Sequence, residues 1–296
     1  MFQCARRSRG WGARGTAGLC LATGLLAPVG AMARGVLDPR GPVGAAERLI
    51  LLNAIGIMLV VVVPVISLTL AFAWWYRASN RRAVARPDFT YSGKIELVVW
   101  SIPAMVVILL GVVGWIGAHQ LDPRVPLAGG VAPLRVGVVS FDWKWLFIYP
   151  DGKVAMVNRL VVPAGVPVAF ELTSATVMTA FFVPQLGSQI YTMPGMVTHL
   201  NLQADRPGDY PGLASHFSGD AFSDMHFLVH AVPPAEFAAW LARVGRDAPP
   251  LDAGVYAGLR HPGTVATPQS FRVTDAALFD RIVQDSTMSP PAGASR

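Results

Sequence analysis

The chain has 296 residues, 53% of them hydrophobic and 14% charged, with a formal net charge of +6. Residues 1–48 carry seven basic and two acidic side chains, residues 77–94 five and one, and everything from Ile95 onward twelve and fifteen. The positive charge is therefore a matter of topology, and the absence of a Lys/Arg cluster in the long C-terminal part excludes a nucleic-acid-binding surface. The class is a membrane protein carrying one globular domain.

In chain order, residues 1–33 read as an export signal. Arg6, Arg7, Arg9 and Arg14 form a basic start, TAGLCLATGLLAPVGA an apolar run, and Ala31-Met32-Ala33 a small-residue cleavage site. The run is short and broken by Gly and Pro, which argues against a third membrane span. Both cysteines, Cys4 and Cys20, lie within residues 1–33. Once the signal is removed, no thiol remains for a disulfide or a thiolate metal site. Residues 34–48, rich in Gly and Pro, are expected to be an extended outer lead-in.

Residues 49–76 and 95–117 are two apolar runs, each of the roughly 20 residues or more that a helix needs to cross a bilayer. Leu49 to Tyr76 contains no charge. Two such runs in succession with aromatic ends are not the pattern of a soluble core. Trp74, Trp75, Tyr76 and Trp115 suit the headgroup layer. Pro64 and Pro103 fall inside the spans, as membrane helices tolerate. The connector 77–94 holds Arg77, Arg81, Arg82, Arg86 and Lys94 against Asp88, so the positive-inside tendency makes it cytoplasmic. Both flanks, including all that follows His119, then lie on the outer side.

Residues 118–232 form the outer domain. Short runs rich in Val, Phe, Ile and Thr (LRVGVV, WKWLFIY, KVAMV, PVAFELT, VMTAFFV, MVTHLNL, MHFLVHAV) recur between turn signals such as Pro150-Asp151-Gly152 and Pro207-Gly208-Asp209. This cadence predicts an antiparallel β-sandwich or barrel. Residues 233–285 switch to a helical period and are expected to form two small helices. In the first, Phe237, Trp240 and Leu241 share a face; the second, TDAALFDRIVQ, has Thr274 as its N-cap. Residues 286–296 read as a disordered tail.

The whole arrangement resembles subunit II of the haem–copper respiratory oxidases. SFDWKWLFIYP resembles the family's aromatic segment, VVPAGVPVAFELTSATVMTAFFVPQLGSQIYTMPG its following strands, and SGKIELVVWSIP the start of its second membrane helix. The likeness covers about residues 35–285. It implies a cupredoxin-like Greek-key sandwich on a two-helix membrane hairpin, in the inner membrane of a bacterium. The mature N-terminus and the C-terminal domain would both be periplasmic.

The family divides at a metal site. Members that oxidise cytochrome c hold two copper ions through bridging thiolates, imidazoles, a thioether and a carbonyl, soft sulfur being what retains copper and spreads the electron. Placed on that pattern, the two Cys positions of this sequence are Ala214 and Ser218. The Glu position is His216, the downstream His is Phe222, the upstream His is Thr179, and Met225 persists. The loss resembles the quinol-oxidising branch, the cytochrome bo-type ubiquinol oxidases. This implies a chain with no cofactor of its own, beside a large subunit I that carries haems and copper, a subunit III and a small subunit IV. Lipid and quinol would be partners, and cytochrome c and nucleic acid would not.

Glu96, the one charge inside either span, matches the residue regarded in that family as the cytoplasmic mouth of a proton path into the large subunit. A plain alternative is a helix-start carboxylate facing the N-terminal dipole. His226, His230 and His216 read as surface or hydrogen-bonded histidines, because no carboxylate or thiol is spaced to complete a metal set. Trp143 and Trp145 read as packing aromatics. Cys20 follows Leu19 instead of a small residue, so no lipid anchor is expected there. Two other readings are a cytochrome c oxidase subunit with an atypical copper site and a membrane-tethered periplasmic binding module.

Overall fold

A computed structural model describes residues 35–84, 89–127 and 130–288. The expected export signal, with Cys4 and Cys20, lies outside them, as do Arg86, Asp88 and the end of the expected tail.

Two long helices come first, α1 (Pro42–Trp75) and α2 (Gly93–Gln120). Both are long and apolar enough to span a membrane, and their apolar windows are not covered by the rest of the chain. Such faces suit hydrocarbon, where a helix also satisfies its own backbone groups. Helix α1 starts at Pro42, so the expected extended lead-in is helical in its second half. Proline at the first helical position explains this, since its fixed φ fits and its missing N–H would be unpaired there anyway. A 34-residue helix is about 50 Å long, well over a hydrocarbon core of about 30 Å. The turn with Glu47 and Arg48 can thus stand outside the membrane. The helices cross closely at Gly117, where a Cβ would come within 2.8 Å of Ile50 Cδ1.

The hairpin is bolted to the outer domain through its backbone. Arg40 N donates to Gln185 O (2.7 Å), Gly44 N to Leu186 O (3.1 Å) and Asp205 N to Arg40 O (2.9 Å). A Cβ on Gly41 would lie 2.1 Å from Gln203 O, so only glycine allows this approach. After α2, Pro123 O accepts from both Asn201 N (3.1 Å) and Asn201 Nδ2 (2.9 Å).

The outer domain is a two-sheet sandwich. Its strands are β1 (Leu134–Phe141), β2 (Lys144–Tyr149), β3 (Val154–Val157), β4 (Arg159–Pro163), β5 (Val168–Ser174), β6 (Thr179–Phe182), β7 (Ile190–Thr192), β8 (Thr198–Leu202), β9 (Gly208–Ala214), β10 (His226–Val232), β11 (Pro250–Leu251) and β12 (Gln269–Val273). One sheet runs β11-β12-β3-β2-β1-β5-β8 and the other β4-β10-β9-β6-β7. The sheets are mixed: β1 with β5, β4 with β10 and β11 with β12 are parallel, which corrects the antiparallel expectation. Trp145, Phe147 and Tyr149 alternate from β2 into the core, where the first two meet Phe181 and Phe227 and Tyr149 meets Phe237 and Trp240.

Three helices follow, where two are expected: α3 (Pro234–Asp247), α4 (Ala253–Arg260) and α5 (Leu278–Met288). Leu259, Leu278 and Ile282 from the last two cover the outer face of β1 and β2 and form a second apolar core with Val139, Leu146 and Ile148. Strand β2 is therefore buried on both faces, and Lys144 with it. The ammonium of Lys144 donates to Leu259 O (3.1 Å) and His261 O (2.6 Å) at the end of α4, and burial lowers its pKa from 10.5. Helix α5 begins at Leu278, and Asp275, not Thr274, organises its start by accepting from Ala277 N (3.0 Å). It also extends past 285. Ser286 is buried and accepts from Gly195 N (3.1 Å), so the first residues assigned to the tail belong to the fold.

Candidate functional site

The six positions of the copper pattern converge at one end of the sandwich, in the loop from β9 to β10 and on β6. Ala214 closes β9, and its N–H donates to Met225 O (3.1 Å). A short 3₁₀ turn, Phe222–Asp224, brings the chain back so that Met225 N donates to Phe222 O (3.1 Å). Met225 is buried, with Ser218 Oγ 4.0 Å from its sulfur. Thr179, at the head of β6, donates its hydroxyl to His216 O (3.2 Å) and thus fixes the loop backbone. Phe222 packs against the core and against Phe217.

The aromatics do different work. Trp143 takes a positive φ of 65° in the turn between β1 and β2, which lets its indole Nε1 donate to Ser218 O (3.2 Å). Trp145 is fully buried, edge-on to Phe181 and Phe227 at 5.5 and 5.6 Å, and its Nε1 has no hydrogen-bond partner among the described residues. One tryptophan holds the loop and the other fills the core.

The donor set at this loop is one thioether, one imidazole, two hydroxyls, one phenyl and one methyl. The His216 imidazole lies edge-on to Tyr191 at 5.7 Å. Two bridging sulfurs are what make a dinuclear copper centre, and Ala214 and Ser218 supply neither. These residues do not fit that group. A hydroxyl chain missed at the sequence level occupies the neighbouring interior: Ser140 Oγ is 2.8 Å from Thr192 Oγ1, which reaches Thr179 O at 3.4 Å. Only the register of β1, β6 and β7 brings these groups together.

His226 and His230 share the outward face of β10 but stand four residues apart, about 13 Å along a strand, too far to bind one ion. His230 Nδ1 pairs with Asp209. Among the described residues no group of three His, Cys, Asp or Glu side chains could hold a metal.

Glu96 stands apart from all of this, in the first turn of α2, exposed, with Lys94 two residues before it. Ser92 precedes the helix without capping it through its side chain, and Glu96 N donates to Ser92 O (3.0 Å). A carboxylate here complements the unpaired amides and the helix dipole. Among the described residues its carboxylate has no hydrogen-bond or ion-pair partner.

A cupredoxin-type sandwich on a membrane hairpin, with a reshaped copper loop, defines an oxidase subunit II. Residues 150–232 match the family described as cytochrome C oxidase subunit II, periplasmic domain. Among curated proteins the chain is 44% identical over 248 residues to cytochrome bo(3) ubiquinol oxidase subunit 2 of Pseudomonas aeruginosa, covering 84% of this chain and 75% of that one. It is 43% identical over 250 residues to ubiquinol oxidase subunit 2 of Acetobacter aceti, covering 84% and 81%. It is 34% identical over 231 residues to quinol oxidase subunit 2 of Bacillus cereus, covering 78% and 79%. The chain belongs to the ubiquinol oxidase subunit 2 family.

Proposed function

We propose that this chain is the non-redox subunit II of a proton-pumping terminal ubiquinol oxidase, which passes electrons from quinol to oxygen in an aerobic respiratory chain. The observation that carries the proposal is the donor set of the β9–β10 loop, in a chain that belongs to a quinol-oxidase family. With a methyl group and a hydroxyl at the thiolate positions, the outer domain has no means of relaying electrons from cytochrome c. A quinol reaches the large subunit through the lipid and needs no such relay.

In this reading the haems and the copper belong to subunit I, and subunits III and IV complete the assembly. This chain holds none of them. It lies in the inner membrane of a bacterium with the connector 77–94 on the cytoplasmic side and the sandwich in the periplasm, as the basic residues of that connector favour. Glu96 is then at the inner end of α2. There it would take protons from cytoplasmic water and pass them to subunit I for oxygen reduction. Its exposure in the first helical turn and its lack of a fixed partner among the described residues support that role, since a carboxylate locked in an ion pair would not exchange protons readily.

Isolation of the complex in mild detergent tests the assignment. The chain should extract with a haem-bearing large membrane protein at constant ratio. Extraction of the chain alone, at full yield and free of haem protein, would favour a tethered periplasmic binding module.

A further inference from the structure

A cavity of about 260 Å³ lies against the outer face of β4 and β10, with α3 as one wall. Its shape follows from strand alternation. Strand β4 is buried from Leu160 onward, Arg159 and Val161 line the cavity, and His230 of β10 is the register partner of Val161. Helix α3 presents Glu236, Trp240 and Arg243 to the cavity, at i, i+4 and i+7 on one stripe. Trp240 is pinned edge-on to Tyr149 at 5.5 Å, which fixes the rotation of that stripe.

The charges in this cavity are not balanced by the chain. Among the described residues, neither Arg159 nor Arg243 has an ion-pair or hydrogen-bond partner for its side chain. Arg159 Nε is buried and has no acceptor among the described residues. His230 is already paired with Asp209. Glu236 pairs with neither arginine, and on the helix it is about 10 Å from Arg243. A buried N–H without an acceptor is rare in folded proteins, so the Nε of half-buried Arg159 is a free donor for a group from outside the chain, water or solute. The cavity far exceeds the roughly 30 Å³ share of a water molecule. Two guanidinium forks from different elements suit a tetrahedral oxyanion approached from two sides, and the Trp240 and Val161 walls accept an organic substituent.

We propose that the cavity between α3 and the β4–β10 face binds a phosphate group through Arg159 and Arg243. Soluble phosphate and a phospholipid headgroup share that chemistry. The proposal does not depend on the quinol reading, because it concerns a face away from the β9–β10 loop and from Glu96.

Hydrogen exchange on the detergent-solubilised complex, prepared without phosphate, tests it. Sodium phosphate should slow amide exchange in β4 and α3 saturably, and sodium chloride at equal ionic strength should not. Arg159→Gln or Arg243→Gln should weaken this protection tenfold or more, as expected for loss of a charge-assisted hydrogen bond. Arg246→Gln, an exposed change on α3 outside the cavity, should leave it unaltered. Nanodiscs of phosphatidylglycerol, compared with nanodiscs of a phosphate-free galactolipid, separate the sources. Protection by phosphatidylglycerol alone assigns the headgroup, and protection by free phosphate assigns the solute; either supports the site. Equal protection by chloride, or undiminished phosphate protection in both arginine variants, overturns it. Arg243 is an exposed helix residue, so its variant keeps the test valid if Arg159→Gln fails to assemble.

Discussion

Tyr149→Phe removes a single oxygen at the point where the two sheets are tied together. Tyr149 is 1% exposed, and its hydroxyl both donates to Val161 O and accepts from Val161 N, each at 2.8 Å. Because β4 is an edge strand, no further strand lies beyond it to take over these groups. The variant therefore leaves one donor and one acceptor buried without partners. At about 1–2 kcal/mol for each group, the loss should be about 2–4 kcal/mol. With a urea slope of about 2 kcal/mol per molar, the midpoint of the outer domain should fall by about 1–2 M, read from tryptophan fluorescence in the solubilised complex. The pH dependence supplies a second check. Burial raises the Tyr149 pKa above its ordinary 10.0, so the phenol stays protonated in the folded chain where the unfolded chain ionises. Stability from this group is full below pH 10 and is lost as pH rises past 10. The gap between wild type and Tyr149→Phe should be constant from pH 7 to 9 and narrow above 10. A loss below about 0.5 kcal/mol at pH 7 would show that the two contacts do not couple the sheets.

Two further outcomes follow from the proposed function. Glu96→Gln and Glu96→Ala should assemble with normal haem content but turn over more slowly per haem, with Glu96→Asp retaining more activity; full turnover per haem in Glu96→Ala would leave only the helix-start role. Copper added to the purified complex should produce no purple mixed-valence signal in optical and paramagnetic resonance spectra; such a signal would contradict the reading of Ala214 and Ser218.

The membrane hairpin is legible in the sequence because a bilayer leaves a segment little choice: the backbone must bond to itself, and an uncharged run such as Leu49–Tyr76 can do so only as a helix. The start at Pro42 is not, since Gly and Pro suggest an extended chain as readily as a helix N-terminus. The sandwich cadence is legible in β1, β2, β5 and β10, whose runs of Val, Phe and Ile are long. Strand β9 is hidden, because GDYPGLA carries the residues of a turn. Pro211 is tolerated there because β9 pairs with β6 only at Leu213 and Ala214, leaving the missing N–H on an unpaired side. The segment from Pro249 to Val273 reads as loop, yet it holds α4 and β12, ordered by contacts that only the assembled fold provides: the Lys144 ammonium at the end of α4 and the pairing of β12 with β3. The copper positions can be placed from the family's ligand pattern. What cannot be read there is the duty of the replacements. Thr179 and Trp143 each hold the loop by one hydrogen bond to a residue far along the chain, and no local pattern records such a bond.

Choice of electron donor tests the central claim most directly. The purified complex, given ubiquinol or reduced cytochrome c under the same oxygen supply and at low ionic strength, should consume oxygen with ubiquinol and show negligible consumption with cytochrome c. If cytochrome c proved the faster donor, an electron relay through this subunit would have to exist, and the account of the β9–β10 loop would be wrong.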